Sequence, residues 1–158
     1  MTPQWPALAA LVVLTAVVGL VWRARQGRVR VHDGGARPGA AGTVTGGWAA
    51  DVVALGAAPG ARATFLQFSA EVCAPCRATA RTLGALAADE DDVAHVEVDV
   101  AEHLDLVRRA GVLRTPTVLV LDGAGSEIAR ASGAMTPVQA RAALDAAAPA
   151  VPVPGRTS

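Results

Sequence analysis

The sequence predicts an α/β domain, a three-layer α/β/α sandwich on a mixed sheet, preceded by one N-terminal transmembrane helix. Three observations carry this expectation. Residues 5–22 (WPALAALVVLTAVVGLVW) form an eighteen-residue run with no charged side chain. From residue 62 onward, apolar strand patterns alternate with Ala-rich helical ones, the order expected when helices cross over between parallel strands. Towards the end, Asp122-Gly-Ala-Gly125 is a hairpin signal, which adds antiparallel strands and makes the sheet mixed.

Charge supports the division into anchor and domain. The chain has 158 residues, with 14 basic residues against 14 acidic ones and a formal net charge of zero. Residues 1–30 hold four Arg (Arg23, Arg25, Arg28, Arg30) and no acid. Residues 31–158 hold all 14 acids and the other ten Arg, a net of −4. Such a split points to a membrane or targeting segment joined to a soluble domain. An acidic domain without Lys disfavours a nucleic-acid partner. Two Cys only three positions apart rule out a disulfide-stapled secreted fold. The 52% hydrophobic share overstates the core, because 36 residues are Ala, so one modest domain plus an anchor is expected.

The apolar run of residues 5–22 spans about 27 Å as a helix, just enough for a hydrocarbon core of about 30 Å. Trp5 and Trp22 mark its ends, where aromatic rings favour the lipid–water interface. A cleavable signal peptide is the competing reading. It would need a basic residue before the run and a small-x-small site after it, and Arg follows instead. Residues 1–26 are therefore expected to be an anchor with a basic flank, in contact with the bilayer through residues 5–22. The Arg cluster after Trp22 places the N-terminus outside and the rest of the chain in the cytoplasm, by the positive-inside rule.

Residues 27–59 are rich in Gly, Ala and Pro and are expected to be a flexible linker, with residues 48–56 adding a short strand or helical turn against the domain. The domain is expected over 60–148. Arg62–Ser69 (RATFLQFS) is its first strand and Ala74–Ala88 its first helix. The acidic cluster 89–92 reads as a solvated turn closing that helix, since acids suit a helix C-terminus poorly. Val93–Val100 alternates as a half-buried strand, with His95 on a solvated face beside Glu97. A short helix over Glu102–Ala110 stops at Gly111. Thr117–Leu121 (TVLVL) is a buried strand, paired through the hairpin with Glu127–Ala131. Thr136-Pro-Val-Gln139 is a capping-box start for a final helix to about Ala148. Residues 149–158, with three Pro at 149, 152 and 154, form a disordered tail.

Both cysteines lie in one motif, Cys73-Ala74-Pro75-Cys76, after a strand and at the start of a helix. Two fully helical residues three apart have Cβ atoms about 5–6 Å apart, too far for a disulfide. With Cys73 at the N-cap the sulfurs can meet, and Pro75 falls in the first turn, where a missing N–H costs nothing. The Cys73 thiolate then accepts the Cys76 amide and feels the positive helix end, and both effects lower its pKa. The thiolate is the attacking species, which makes Cys73 the nucleophile and Cys76 the resolving cysteine. A zinc half-site and a purely structural disulfide are the alternatives. The remaining zinc ligands would be His32, His95, His103 and carboxylates, a poor set. So small a closed loop also constrains the unfolded chain little.

With these residues in place, positions 60–148 resemble the thioredoxin family. The resemblance rests on Phe68 to Cys76, on Val98–Val100, on Gly111-Val112 before Thr115-Pro116, and on Gly133 ahead of the last helix. It implies a thioredoxin-like fold in which Pro116 is a cis proline facing the cysteines. Thr115 and Pro116 would bind an extended substrate segment through its backbone. No cofactor or metal is implied. The partners implied are protein dithiols or disulfides and an upstream dithiol donor, and Ala-Pro within the motif is similar to reducing members. The separation of Cys76 from Pro116 leaves no room for the insertion of membrane-tethered cytochrome-maturation thioredoxins.

The chain departs from the family at three places. Val72 replaces the aromatic before the first cysteine, and Ser69 occupies another aromatic position. Gln67 stands where the family has a buried Asp, and Gln cannot act as that base. Glu71 opposes thiolate formation if it lies near the sulfur. A membrane-anchored protein disulfide reductase with slower exchange or a narrower partner set is therefore expected. The alternatives are an extracytoplasmic thiol oxidoreductase for exported-protein or cytochrome maturation, and a non-catalytic binding module at the membrane.

Overall fold

The computed structural model of the chain describes residues 5–25, 29–31 and 47–147. In chain order its elements are α1 (Trp5–Arg25), β1 (Val29–Val31), α2 (Ala49–Ala54), β2 (Ala63–Ser69) and α3 (Ala74–Asp89). Then follow β3 (Val93–Asp99), α4 (Leu104–Arg109), β4 (Thr117–Asp122), β5 (Glu127–Ser132) and α5 (Pro137–Asp145).

The sheet has the order β1-β5-β4-β2-β3. Four strands form its body, and the three-residue β1 extends one edge. β2 runs parallel to β3 and antiparallel to β4, so the sheet is mixed as expected. β2 is central and all seven of its residues are buried, polar Thr64, Gln67 and Ser69 among them.

Side chains alternate between two cores. Ala63 and Phe65 of β2, with Val118 and Val120 of β4, pack beneath α3 and α5 against Leu83, Leu86 and Leu144. Leu66 and Phe68, with Leu119 and Leu121, pack on the other face against Val96, Val98, Ala110, Trp48 and Val52. Each large apolar side chain buried in this way contributes about 1.5–3 kcal/mol. Phe65 and Phe68 are the only phenylalanines, so each core is organised around one of them. Thr136 begins α5 with a complete capping box, as the sequence indicates.

The expected 27–59 linker needs correction at its start, while the expected turn over 48–56 forms α2 against the domain. Val29–Val31 is an edge strand paired antiparallel with β5. Trp48 and Val52 belong to the core, so the domain takes in residues well before 60. Trp48 is fixed by its N–H donating to the Gly125 carbonyl at 2.7 Å and by the Arg109 guanidinium stacked 4.7 Å over its ring. Arg109 also pairs with Asp51 of α2. Gly125 permits this approach. Its φ is +81°, and a Cβ there would meet the Ala49 amide nitrogen at 2.6 Å. Residues 32–46 of the expected linker and the expected tail 149–158 lie outside the described residues.

Residues 5–25 are helical, as expected of the N-terminal segment. Among the described residues, no helix is long and apolar enough to cross a membrane.

Candidate active site

The site sits where β2 gives way to α3. Cys73 is the N-cap of α3 with extended backbone (φ −142°, ψ 95°), and Pro75 lies in the first turn. The Cys76 amide donates to Cys73 Sγ at 3.1 Å. This is the cap geometry that the spacing requires, and it aims a backbone donor at the Cys73 sulfur. The two cysteines are joined as a disulfide, with Cα atoms 5.2 Å apart. Cys73 is 9% exposed and Cys76 only 1%, so an approaching partner meets Cys73 first. Ala74 of the motif interior is exposed. Among the described residues, no group of three or more His, Cys, Asp and Glu is placed to hold a metal ion.

Thr115 and Pro116 lie on the same end of the sheet. Phe68, five residues before Cys73, pairs with Thr117, directly after the Thr115–Pro116 peptide bond. That bond is cis. The loop is held in place by the Gly133 amide donating to the Pro116 carbonyl at 2.7 Å and by Thr117 Oγ1 donating to the Arg114 carbonyl at 2.8 Å. Pro116 is buried and Thr115 half-buried. Around this end, Val72 and Leu113 are each 95% exposed, two apolar side chains left in solvent beside the motif and the loop. Glu71 is exposed as well.

Beneath the cysteines lies a polar network that sequence reading does not foresee. Gln67 is fully buried on the α3 side of β2. Its Nε2 donates to the Cys76 carbonyl at 3.0 Å, to Ser69 Oγ at 2.8 Å and to Glu97 Oε1 at 3.2 Å. Two N–H hydrogens thus serve three acceptors. Gln67 Oε1 lies 3.2 Å from His95 Nε2, so with the amide nitrogen facing acceptors, His95 carries its proton on Nε2. Where the family has an ionisable group, this chain holds the Cys76 end of the helix with a neutral amide.

His95 is therefore not the solvated surface residue expected from strand alternation. It is half-buried, because parallel pairing sets it beside Phe65, two strand positions from the Gln67–Glu97 pair and on the same face. Burial lowers its pKa from 6.5, and the nearby Glu97 carboxylate opposes that shift in part. A base whose folded pKa is depressed binds fewer protons folded than unfolded in the window just below 6.5. Folding stability should therefore be full above pH 6.5 and fall as pH drops from there towards the folded midpoint. Denaturant titrations from pH 7.5 to 5 should show that fall, and His95→Gln should flatten it. An equal fall in the variant would assign the effect elsewhere.

Comparison with known proteins places this geometry among relatives. The family model described as thioredoxin matches residues 57–146. Among solved structures, the thioredoxin of Fasciola hepatica is similar, with 26% identity and a TM-score of 0.50 over 61% of this chain and 86% of that one. The thioredoxin of Malassezia sympodialis is 26% identical, with a TM-score of 0.47 over 54% of this chain and 77% of that one. No curated protein matches the chain.

Proposed function

Since the chain belongs to the thioredoxin family, we propose that it is a membrane-anchored thiol–disulfide oxidoreductase that reduces protein disulfides. The observation that supports this best is Cys73 at the N-cap of α3, its sulfur bonded to Cys76 and accepting the Cys76 amide. In the reduced protein, the Cys73 thiolate attacks a substrate disulfide and forms a mixed disulfide. The departing substrate thiolate takes up a proton. Cys76 then loses its proton, and its thiolate attacks Cys73 Sγ, closing the internal disulfide and releasing the second substrate thiol. The substrate gains two electrons and the protein loses two, which an upstream dithiol protein restores.

The Thr115–Pro116 loop lies on the sheet end from which a substrate must approach. We assign it the role of holding an extended segment beside Cys73. Exposed Val72 and Leu113 offer that segment apolar contact. Gln67 keeps a dry, neutral amide under Cys76, which favours slower deprotonation of the resolving thiol than a carboxylate would.

The anchor is proposed from α1 as a whole. Leu8, Leu11, Val12, Val13, Leu14, Val17, Val18, Leu20 and Val21 are all exposed and point to every side of the helix. A helix apolar all round and packed on nothing belongs in lipid or against a partner, and its Arg-rich end favours the cytoplasmic side. The proposed arrangement is single-pass, with the N-terminus outside and the redox domain in the cytoplasm. Reporter fusions after residue 147 should read as cytoplasmic. A reporter that reads as extracytoplasmic would instead favour thiol chemistry on exported proteins or cytochromes.

A further inference from the structure

The strand register fixes which end of the domain lies near the anchor. β1 runs antiparallel to β5, with Val29 opposite Ala131 and Val31 opposite Ala129. Ala131 pairs with Val118, and Val118 with Gln67. Val29, the residue of β1 nearest the anchor, therefore lies in the row that crosses the sheet to Gln67, beneath the cysteines. The next row, Ser132–Thr117–Phe68, leads to the motif and to the cis bond. β1 thus enters the sheet at its redox end. The Ala63–Asp122 end of the sheet, with the Asp122–Gly125 turn, is the far one.

Chain length makes this a constraint. Four Cα steps separate Arg25, the last residue of α1, from Val29. At up to about 3.6 Å per residue, they span at most roughly 14 Å. Three strand spacings, about 14 Å in all, then separate β1 from β2. We propose that the Cys73–Cys76 face is turned towards the bilayer, and that its substrates are disulfides of proteins held at that same membrane, within roughly 30 Å of its surface. The exposed apolar pair, Val72 and Leu113, lies on this near end. The expected 27–59 linker cannot serve as a long tether, because residues 32–46 follow β1 and add nothing to the link with the anchor. The proposal rests on the anchored-oxidoreductase reading and adds the place and class of its partners.

The test places the full-length protein in nanodiscs carrying a gadolinium-chelating lipid, with amide signals read by NMR. This reads position whether or not the protein turns over any substrate. Relaxation at Val72 and Leu113 should exceed that at Asp91 and Ala124 by on the order of tenfold, since the two ends differ in depth by the length of a strand. Equal relaxation at both ends, or the reverse order, overturns the proposal and leaves the anchor standing. A protein that stays off the nanodiscs overturns the anchor reading and this proposal with it. For the partner class, a Gly/Ser segment of 30 residues inserted between Arg25 and Val29 should slow reduction of a short lipid-tethered disulfide peptide several-fold. The same peptide free in solution should be reduced as before. Equal rates for both peptides would contradict the assignment.

Discussion

Replacing Cys73 with Ser should abolish dithiol-driven reduction of a protein disulfide such as insulin, by roughly a thousandfold or more, the scale on which a covalent nucleophile is missed. The prediction is sharp because Ser preserves almost everything else. A Ser hydroxyl at the N-cap still accepts the Cys76 amide that now reaches Cys73 Sγ at 3.1 Å, so α3 begins as before. The lost disulfide closed only a short loop, and its removal costs about 2 kcal/mol on chain entropy alone. What disappears is the thiolate, since a hydroxyl at neutral pH is a poor nucleophile without a base beside it. Buried Gln67 beneath the site offers no such base. Circular dichroism of the variant should match that of the parent while turnover vanishes. Retained turnover would mean that Cys73 is not the attacking sulfur.

The parts of this site that the sequence revealed are those written in local chemistry. C-x-x-C after an apolar strand, with Pro75 in the first turn, admits a disulfide only if Cys73 caps the helix, and it does. Thr136 and Gln139 spell a capping box that forms in full. Pro116 before TVLVL marked the start of a strand, and resemblance to the family supplied the expectation of a cis bond that is present.

What remained illegible depends on contacts between distant residues. Val29–Val31 is three residues long and lies among Arg and Gly. Only its pairing with Val31↔Ala129 and Val29↔Ala131 makes it a strand, and no local pattern signals that. His95 and Glu97 read as one solvent face of an alternating strand. Pairing with β2 and cover by α3 turn that face inward at His95, where it meets Gln67. Trp48 was the remaining signal within the supposed linker, since a lone Trp in a Gly-rich stretch needs somewhere to be buried. These corrections share a consequence. The sheet takes in β1, and β1 enters it at the end that carries the cysteines.

The second large effect concerns the resolving cysteine. With Cys76 replaced by Ser, Cys73 can still attack a substrate disulfide, but no internal thiolate displaces the partner. The covalent mixed disulfide should persist. Cys73 is itself only 9% exposed, so external thiols reach the adduct poorly and its release should be slow. Full-length Cys76→Ser expressed in cells, alkylated at lysis and run without reductant, should migrate as adducts that collapse to the monomer when reductant is added. The double variant Cys73→Ser/Cys76→Ser should give none. Adducts that require Cys73 are the result the account predicts. A Cys76→Ser protein that stays monomeric under those conditions would contradict disulfide exchange and leave a thioredoxin-fold binding module.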